Sequence, residues 1–207
     1  KTTNARNPDP AGVTWTRLTT TPDYCRPQCW YDHVVRVHPS NPNIVFAGGA
    51  AQFDSRGRPT FPVRTLDGGN TWEGVGRSGS SGPFIHVDTH AIEFANPPTK
   101  LYVGNDGGVW STTNIESPVS SLIWTNLNGQ AGNPANSLGL VQFYPGGSIH
   151  PSTPDIAFGG SQDNSTQRYT GGAVWDIVTC GDGAWTAFDP QVPSTVYTNC
   201  QRIDVRR

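Results

Sequence analysis

Apolar and polar residues alternate over short runs, and Pro, Gly, Asn or Asp interrupts every run. Period-two alternation bounded by turn-formers predicts half-buried β-strands. One phrase recurs: an extended run, a Pro turn, then a second apolar run ending in Gly or Asn. It reads VVRVHPSNPNIVFAGG from Val34, AIEFANPPTKLYVGNDGG from Ala91, GSIHPSTPDIAFGGSQDN from Gly147 and WTAFDPQVPSTVYTNC from Trp185. The matching positions Gly48, Gly104, Gly159 and Asn199 lie 56, 55 and 40 residues apart. A second ladder consists of Trp15, Trp72, Trp124 and Trp175, spaced 57, 52 and 51. Two independent ladders of similar period predict four copies of one supersecondary unit.

Each copy reads as four short strands, two on either side of the Pro turn and two more leading to the Trp. A unit of this kind cannot bury both faces alone, so copies stack around an axis. The predicted fold is all-β, a β-propeller of about four four-stranded blades. A slice of a larger propeller is the preferred reading and a closed four-bladed ring the alternative. The units run approximately 1–20, 28–76, 84–128, 139–179 and 180–207 within a single propeller domain or fragment. The segment RIDVRR reads as a third strand without its fourth. A slice would leave open sheet edges, which pair with other chains, so self-association is expected.

The turn between the third and fourth strands carries the most specific signal. Residues 65–72 read TLDGGNTW. Asp67 can accept backbone N–H groups of its own turn, Gly68 and Gly69 supply positive φ, and Trp72 can pack beneath the hairpin. Thr65, Asp67, Gly69, Thr71 and Trp72 are assigned as a structural staple, not as chemistry. Other copies are degraded: DPAGVTW from Asp9, TGGAVW from Thr170, and STTNIESPVSSLIW from Ser111, with Asn114 near the Asp position. These residues resemble the Asp-box, or bacterial neuraminidase repeat, propellers. That superfamily includes sialidases, xyloglucanase-type glycosidases and the sortilin propeller. The resemblance extends over LYVGNDGGVW, FGGSQDNSTQRYTG and GDGAWTAFDP, and is closest to secreted bacterial repeat proteins of glycosyl-hydrolase type. It implies a fold; one fold hosts many activities.

Charge changes the picture by exclusion. A net charge of −2 with 14% charged residues offers no basic patch for phosphates, so no nucleic-acid partner is expected. No apolar run approaches the roughly 18 residues of a membrane helix, so no membrane insertion is expected. The chain has no methionine and opens without a leader-like segment, which suggests a mature form or a piece of a longer protein. Four cysteines lack zinc-finger spacing and read as disulfides, Cys25–Cys29 and Cys180–Cys200. That places the protein in a secreted, extracellular or periplasmic setting.

Three sets of residues could carry chemistry. His86, Asp88 and His90 alternate, so on a strand they would share one face and could hold Ca²⁺ or another divalent metal at the axis; no other cofactor is expected. Alignment on the Pro turns places Asp182 with Asp88, and Tyr31 at the same position of the first unit with Asp32 one residue later. Paired carboxylates are what glycoside hydrolysis requires. Asp88, Asp182 and Asp106 are therefore the catalytic candidates, Asp106 because it resembles an acidic residue in an Asp-Gly-Gly stretch of xyloglucanase-type propellers. Asp163 lies at the corresponding place in SQDN. Trp30, Tyr31, Trp110 and Trp185, with Asp32, His86 and His90, form the binding set, because aromatic faces stack on sugar rings while polar neighbours take hydroxyls. No arginine sits in a sialidase-like context. Asn164 heads an Asn-Ser-Thr glycosylation sequon. The leading expectation is a secreted module that binds glycan or protein partners through its loop face. A glycoside hydrolase and a self-assembling extracellular protein are the alternatives.

Overall fold

The computed structural model describes all residues except 26–27, 51–60, 129–140, 142, 180 and 202–203. Four antiparallel sheets account for the strands, each made of sequence-consecutive strands in up-and-down order. Such sheets have the strand order of propeller blades. The first is β1 (His33–His38), β2 (Asn41–Gly49), β3 (Val63–Thr65) and β4 (Glu73–Gly74). The second is β5 (Thr89–Phe94), β6 (Leu101–Asn105), β7 (Gly108–Thr112) and β8 (Thr125–Asn126). The third is β9 (Ser148–Ile149), β10 (Ala157–Gly160), β11 (Thr166–Tyr169) and β12 (Asp176–Thr179). The fourth has three strands among the described residues: β13 (Thr186–Phe188), β14 (Val196–Cys200) and β15 (Asp204–Arg206). Among the described residues no helix is long and apolar enough to cross a membrane.

Three of the four Pro turns share one device. His38 Nδ1 accepts the N–H of Ser40 and Asn41 at 3.2 and 3.1 Å. His150 Nδ1 does the same for Ser152 and Thr153 at 3.2 and 3.0 Å, and Asp189 Oδ1 for Gln191 and Val192 at 2.8 and 3.0 Å. The side chain just before each Pro thus satisfies donors that the turn would otherwise leave unpaired.

The second device closes the turn two strands later. Thr65 Oγ1 donates to Asp67 at 2.7 Å, and Asp67 accepts from Asn70 N (3.0 Å), Thr71 N (2.9 Å) and Thr71 Oγ1 (2.6 Å). These donors, the Thr71 hydroxyl first, hold the Asp67 carboxyl well below the usual range. Thr112 Oγ1 donates to Asn114 at 2.7 Å, and Asn114 Oδ1 takes Ile123 N at 3.2 Å. Near the N-terminus Thr2 Oγ1 donates to Asn4 at 2.8 Å, and Asn4 Oδ1 accepts Thr14 N at 3.0 Å. The expected remnant at Asp9 is corrected by this: Asp9 only caps the short 3-10 turn Pro10–Gly12, while Asn4 spans the loop. A neutral amide oxygen accepts the same N–H groups, so the motif survives loss of charge and growth of the loop.

The chain forms two compact units: Lys1–Asn105 with Trp110–Thr125, and Asp106–Val109 with Asn126–Arg207. The first is held by an apolar core in which Ile44 and Phe46 of β2 meet Ile92 and Phe94 of β5, Leu101 and Val103 of β6, and Leu122 and Trp124. Arg64 of β3 crosses it, only 1% exposed. Its guanidinium bonds Glu73 at 2.8 Å and donates to the Ile115 and Ser117 carbonyls. One buried cation thus satisfies two carbonyls and ties the first sheet to the loop after β7. The second unit is joined by polar contacts: Thr166 to Thr198 at 2.7 Å, Ser148 to Thr186 at 2.9 Å, and edge-to-face contacts of Phe188 with Phe158 and His150.

Replacing Arg64 with Ala leaves both carbonyls without their donor, while the half-exposed Glu73 turns to water, so urea denaturation should report a loss of about 3 kcal/mol or more. Arg64→Lys should recover little, because an ammonium lacks the planar fork. A loss below about 1 kcal/mol would show that the clamp is dispensable.

Candidate functional site

In the first unit residues 28–32 form a loop before β1, tied to Cys25 by the Cys25–Cys29 disulfide. The N–H groups of Tyr31 and Asp32 both donate to the Gln28 carbonyl, at 2.8 and 3.1 Å. The loop sits on the end of β2. A Cβ at Gly49 would lie 2.6 Å from Cys25 Cβ and 2.7 Å from the Asp32 carbonyl oxygen, so only glycine admits this close approach.

The loop turns Trp30 outward, 81% exposed, and Tyr31, 50% exposed. Their ring centroids are 5.5 Å apart, and the His90 ring lies edge-on to Tyr31 at 5.1 Å. Asp32 points the other way and is fully buried, at 0% exposure. Among the described residues no other residue donates to either of its carboxylate oxygens. Its neighbour is the Asp88 carboxyl, which can bond it only through a shared proton. Burial first, and then this like-charged partner, push the Asp32 pKa up to about 6. Gln28 Nε2 donates to Asp88 Oδ1 at 3.1 Å.

The expected alternation of His86, Asp88 and His90 on one strand face is corrected here. β5 begins only at Thr89, Asp88 has a positive φ of 57°, and the register of β5 on β6 shifts between Thr89 and Ala91. The shift places His90 at a bulge, which re-aims its side chain. His86 and Asp88 remain close, with a ring nitrogen and a carboxylate oxygen within 4.8 Å, whereas His90 stands with Tyr31.

The second unit holds an acidic group of its own. Asp163 N donates to Asp182 Oδ1 at 2.8 Å, Gln162 Nε2 to Asp106 Oδ2 at 2.9 Å, and Tyr144 Oη to Gln162 Oε1 at 2.9 Å. Asp163 and Ser165 have positive φ, 55° and 69°. Burial first, then hydrogen bonding to Asp106 and the Asp182 charge, push the Asp163 pKa up to about 8. The sequon Asn164 donates its amide to the Asp106 and Gln162 carbonyls, at 3.2 and 2.9 Å, so its nitrogen is engaged inside this loop.

The other expected residues are scattered. Trp110 packs against the apolar core with its indole nitrogen buried. Trp185 is exposed, but one edge covers Gly146, where a Cβ would fall 1.9 Å from Trp185 Cε3. Cys200 is disulfide-bonded, and its expected partner Cys180 lies outside the described residues. The sequence reading missed Gln28, whose carbonyl and amide organise the loop, and the buried Thr89 hydroxyl; neither has a motif that would single it out.

Neither a family model nor a curated protein sequence matches this chain. Among solved structures it is similar to the GH74 enzyme of Niastella koreensis, with 15% identity, a TM-score of 0.34, and coverage of 79% of this chain and 27% of the enzyme. It is also similar to an ancestral GH74 enzyme, with 15% identity, a TM-score of 0.31, and coverage of 80% and 21%. The chain therefore spans about a quarter of the length of these enzymes.

The raised Asp163 pKa fixes the sign of a pH effect. An unfolded Asp titrates near about 3.9, so between that value and about 8 the folded chain keeps a proton that the unfolded chain has released. The stabilisation is complete below pH of about 4 and is lost as pH rises through about 8. Denaturation midpoints should fall across this window, and Asp163→Asn should flatten the fall. An identical slope in the variant would assign the effect elsewhere.

Proposed function

We propose that this chain is the glycan-binding part of a β-propeller that works outside the cytoplasm. The aromatic row of Trp30 and Tyr31, just after the Cys25–Cys29 disulfide, with His90 of β5, carries the reading. A large, mostly exposed indole costs solvation and among the described residues meets the Tyr31 ring, whereas the apolar face of a sugar ring would cover it. Gln28 and Asp88 stand beside the row and offer a donor and acceptors for hydroxyls. The disulfide limits the loop's freedom, so less entropy is lost on binding. It also fits an oxidising compartment.

Hydrolysis is the second reading, favoured by Asp163. A glycosidase needs one protonated and one ionised carboxyl, and Asp163 keeps its proton at neutral pH beside Asp106 and Asp182. Separation ranks it second. Asp163 is within hydrogen-bonding reach of its partners, while glycosidase pairs stand about 5–5.5 Å or 6.5–9.5 Å apart to admit the sugar or a water.

Affinity electrophoresis against a panel of neutral polysaccharides tests the proposal. At least one should retard the chain. Trp30→Ala should weaken that retardation about tenfold, equivalent to about 1.4 kcal/mol. Trp15→Ala, which removes another exposed indole, should leave it unchanged. Retardation by none of the panel would sink the glycan reading. Reducing ends released from a β-glucan by the chain, and lost in both Asp106→Asn and Asp163→Asn, would put hydrolysis first.

A further inference from the structure

Three buried side-chain oxygens of the first unit have no partner among the described residues: both carboxylate oxygens of Asp32, and Thr89 Oγ1. Asp32 is 0% exposed and Thr89 1%. Gln28 links the two acidic residues: its carbonyl accepts the Asp32 N–H at 3.1 Å and its amide donates to Asp88 at 3.1 Å. The Asp32 carbonyl abuts Gly49, and Thr89 packs on Gly48, where a Cβ would lie 2.6 Å from its methyl. Asp88, next to Thr89 in the chain, sets its carboxyl against that of Asp32. A buried acceptor without a donor costs about 1–3 kcal/mol, and more when charged. A buried carboxyl facing a half-buried one favours uptake of a proton or a cation.

We propose that Asp32, Asp88 and the Thr89 hydroxyl form a binding site for a divalent cation of the calcium type. The donor set is all oxygen, and its two carboxylates balance a charge of +2. Hard cations such as Ca²⁺ take such oxygens in irregular geometry. Gln28 Oε1 is a further oxygen at the same place, since the amide of that side chain already bonds Asp88. The positive φ of Asp88 lets its side chain turn toward Asp32 instead of along β5. The site lies beneath the Trp30–Tyr31 loop, and the proposal does not depend on that loop binding sugar.

The test uses the intact chain, stripped with EDTA and exchanged into neutral buffer of fixed ionic strength. Thermal unfolding with added Ca²⁺ should show a saturable rise in Tm, and Tb³⁺ should luminesce on excitation of Trp30 and Tyr31. Asp32→Asn should abolish both responses while unfolding no lower than the stripped wild type, because it relieves the carboxylate repulsion. If Asp32→Asn does not fold, Asp88→Asn is read the same way. A wild type with no Tm response to Ca²⁺ would overturn the proposal and leave a proton-sharing pair. A response that survives both substitutions would place the cation elsewhere and overturn it equally.

Discussion

The sheets of this protein depend on small side-chain staples that close their turns. A strand of three to five residues makes too few ladder bonds to fix its own register, and a turn that leaves N–H groups unpaired splays the hairpin. Asp67, Asn114 and Asn4 each gather a hydroxyl two residues before and N–H groups beyond the loop. The ring nitrogens of His38 and His150, and Asp189, do the corresponding work at the Pro turns. Because the staple needs only an acceptor oxygen at a fixed offset from Thr, the chain between can lengthen without changing the sheet.

The two units solve the same packing problem differently. The first spends its interior on aliphatic and aromatic contact around Phe46 and Phe94, crossed by one fully paired arginine. The second relies on threonine pairs and on the acidic loop from Gln162 to Asn164. Hydroxyl pairs contribute less than buried methylenes but fix direction more tightly. The Asp163 backbone and its neighbours are drawn into a network although its own Oδ2 is left without a partner among the described residues, and both Asp32 oxygens are likewise left so behind their loop.

Much of the strand order was legible because the Pro turns and tryptophans recur at a near-constant period. The site was legible in composition but not in arrangement. Trp30, Tyr31, Asp32, Asp88 and His90 could be singled out as residue types, and the structure gathers them between the loop before β1 and the start of β5. Their grouping could not be read, because it depends on a bulge at His90 and on left-handed backbone at Asp88, neither of which interrupts the alternation of letters. Asn4 was readable in principle. Its Thr-x-Asn spacing repeats Thr112-x-Asn114, but the long loop to Thr14 drew attention to the nearer Asp9. Trp110 shows the converse: a residue type that suits a surface platform is here part of the core.

The central claim is that the disulfide loop and the start of β5 form the functional surface. Amide hydrogen exchange of the intact chain, with and without the best-retained polysaccharide, tests it most directly. The account predicts that added protection is confined to residues 28–32 and 88–90. Protection centred instead on Tyr144 and residues 162–164 would contradict it and move the functional surface to the acidic loop of the second unit.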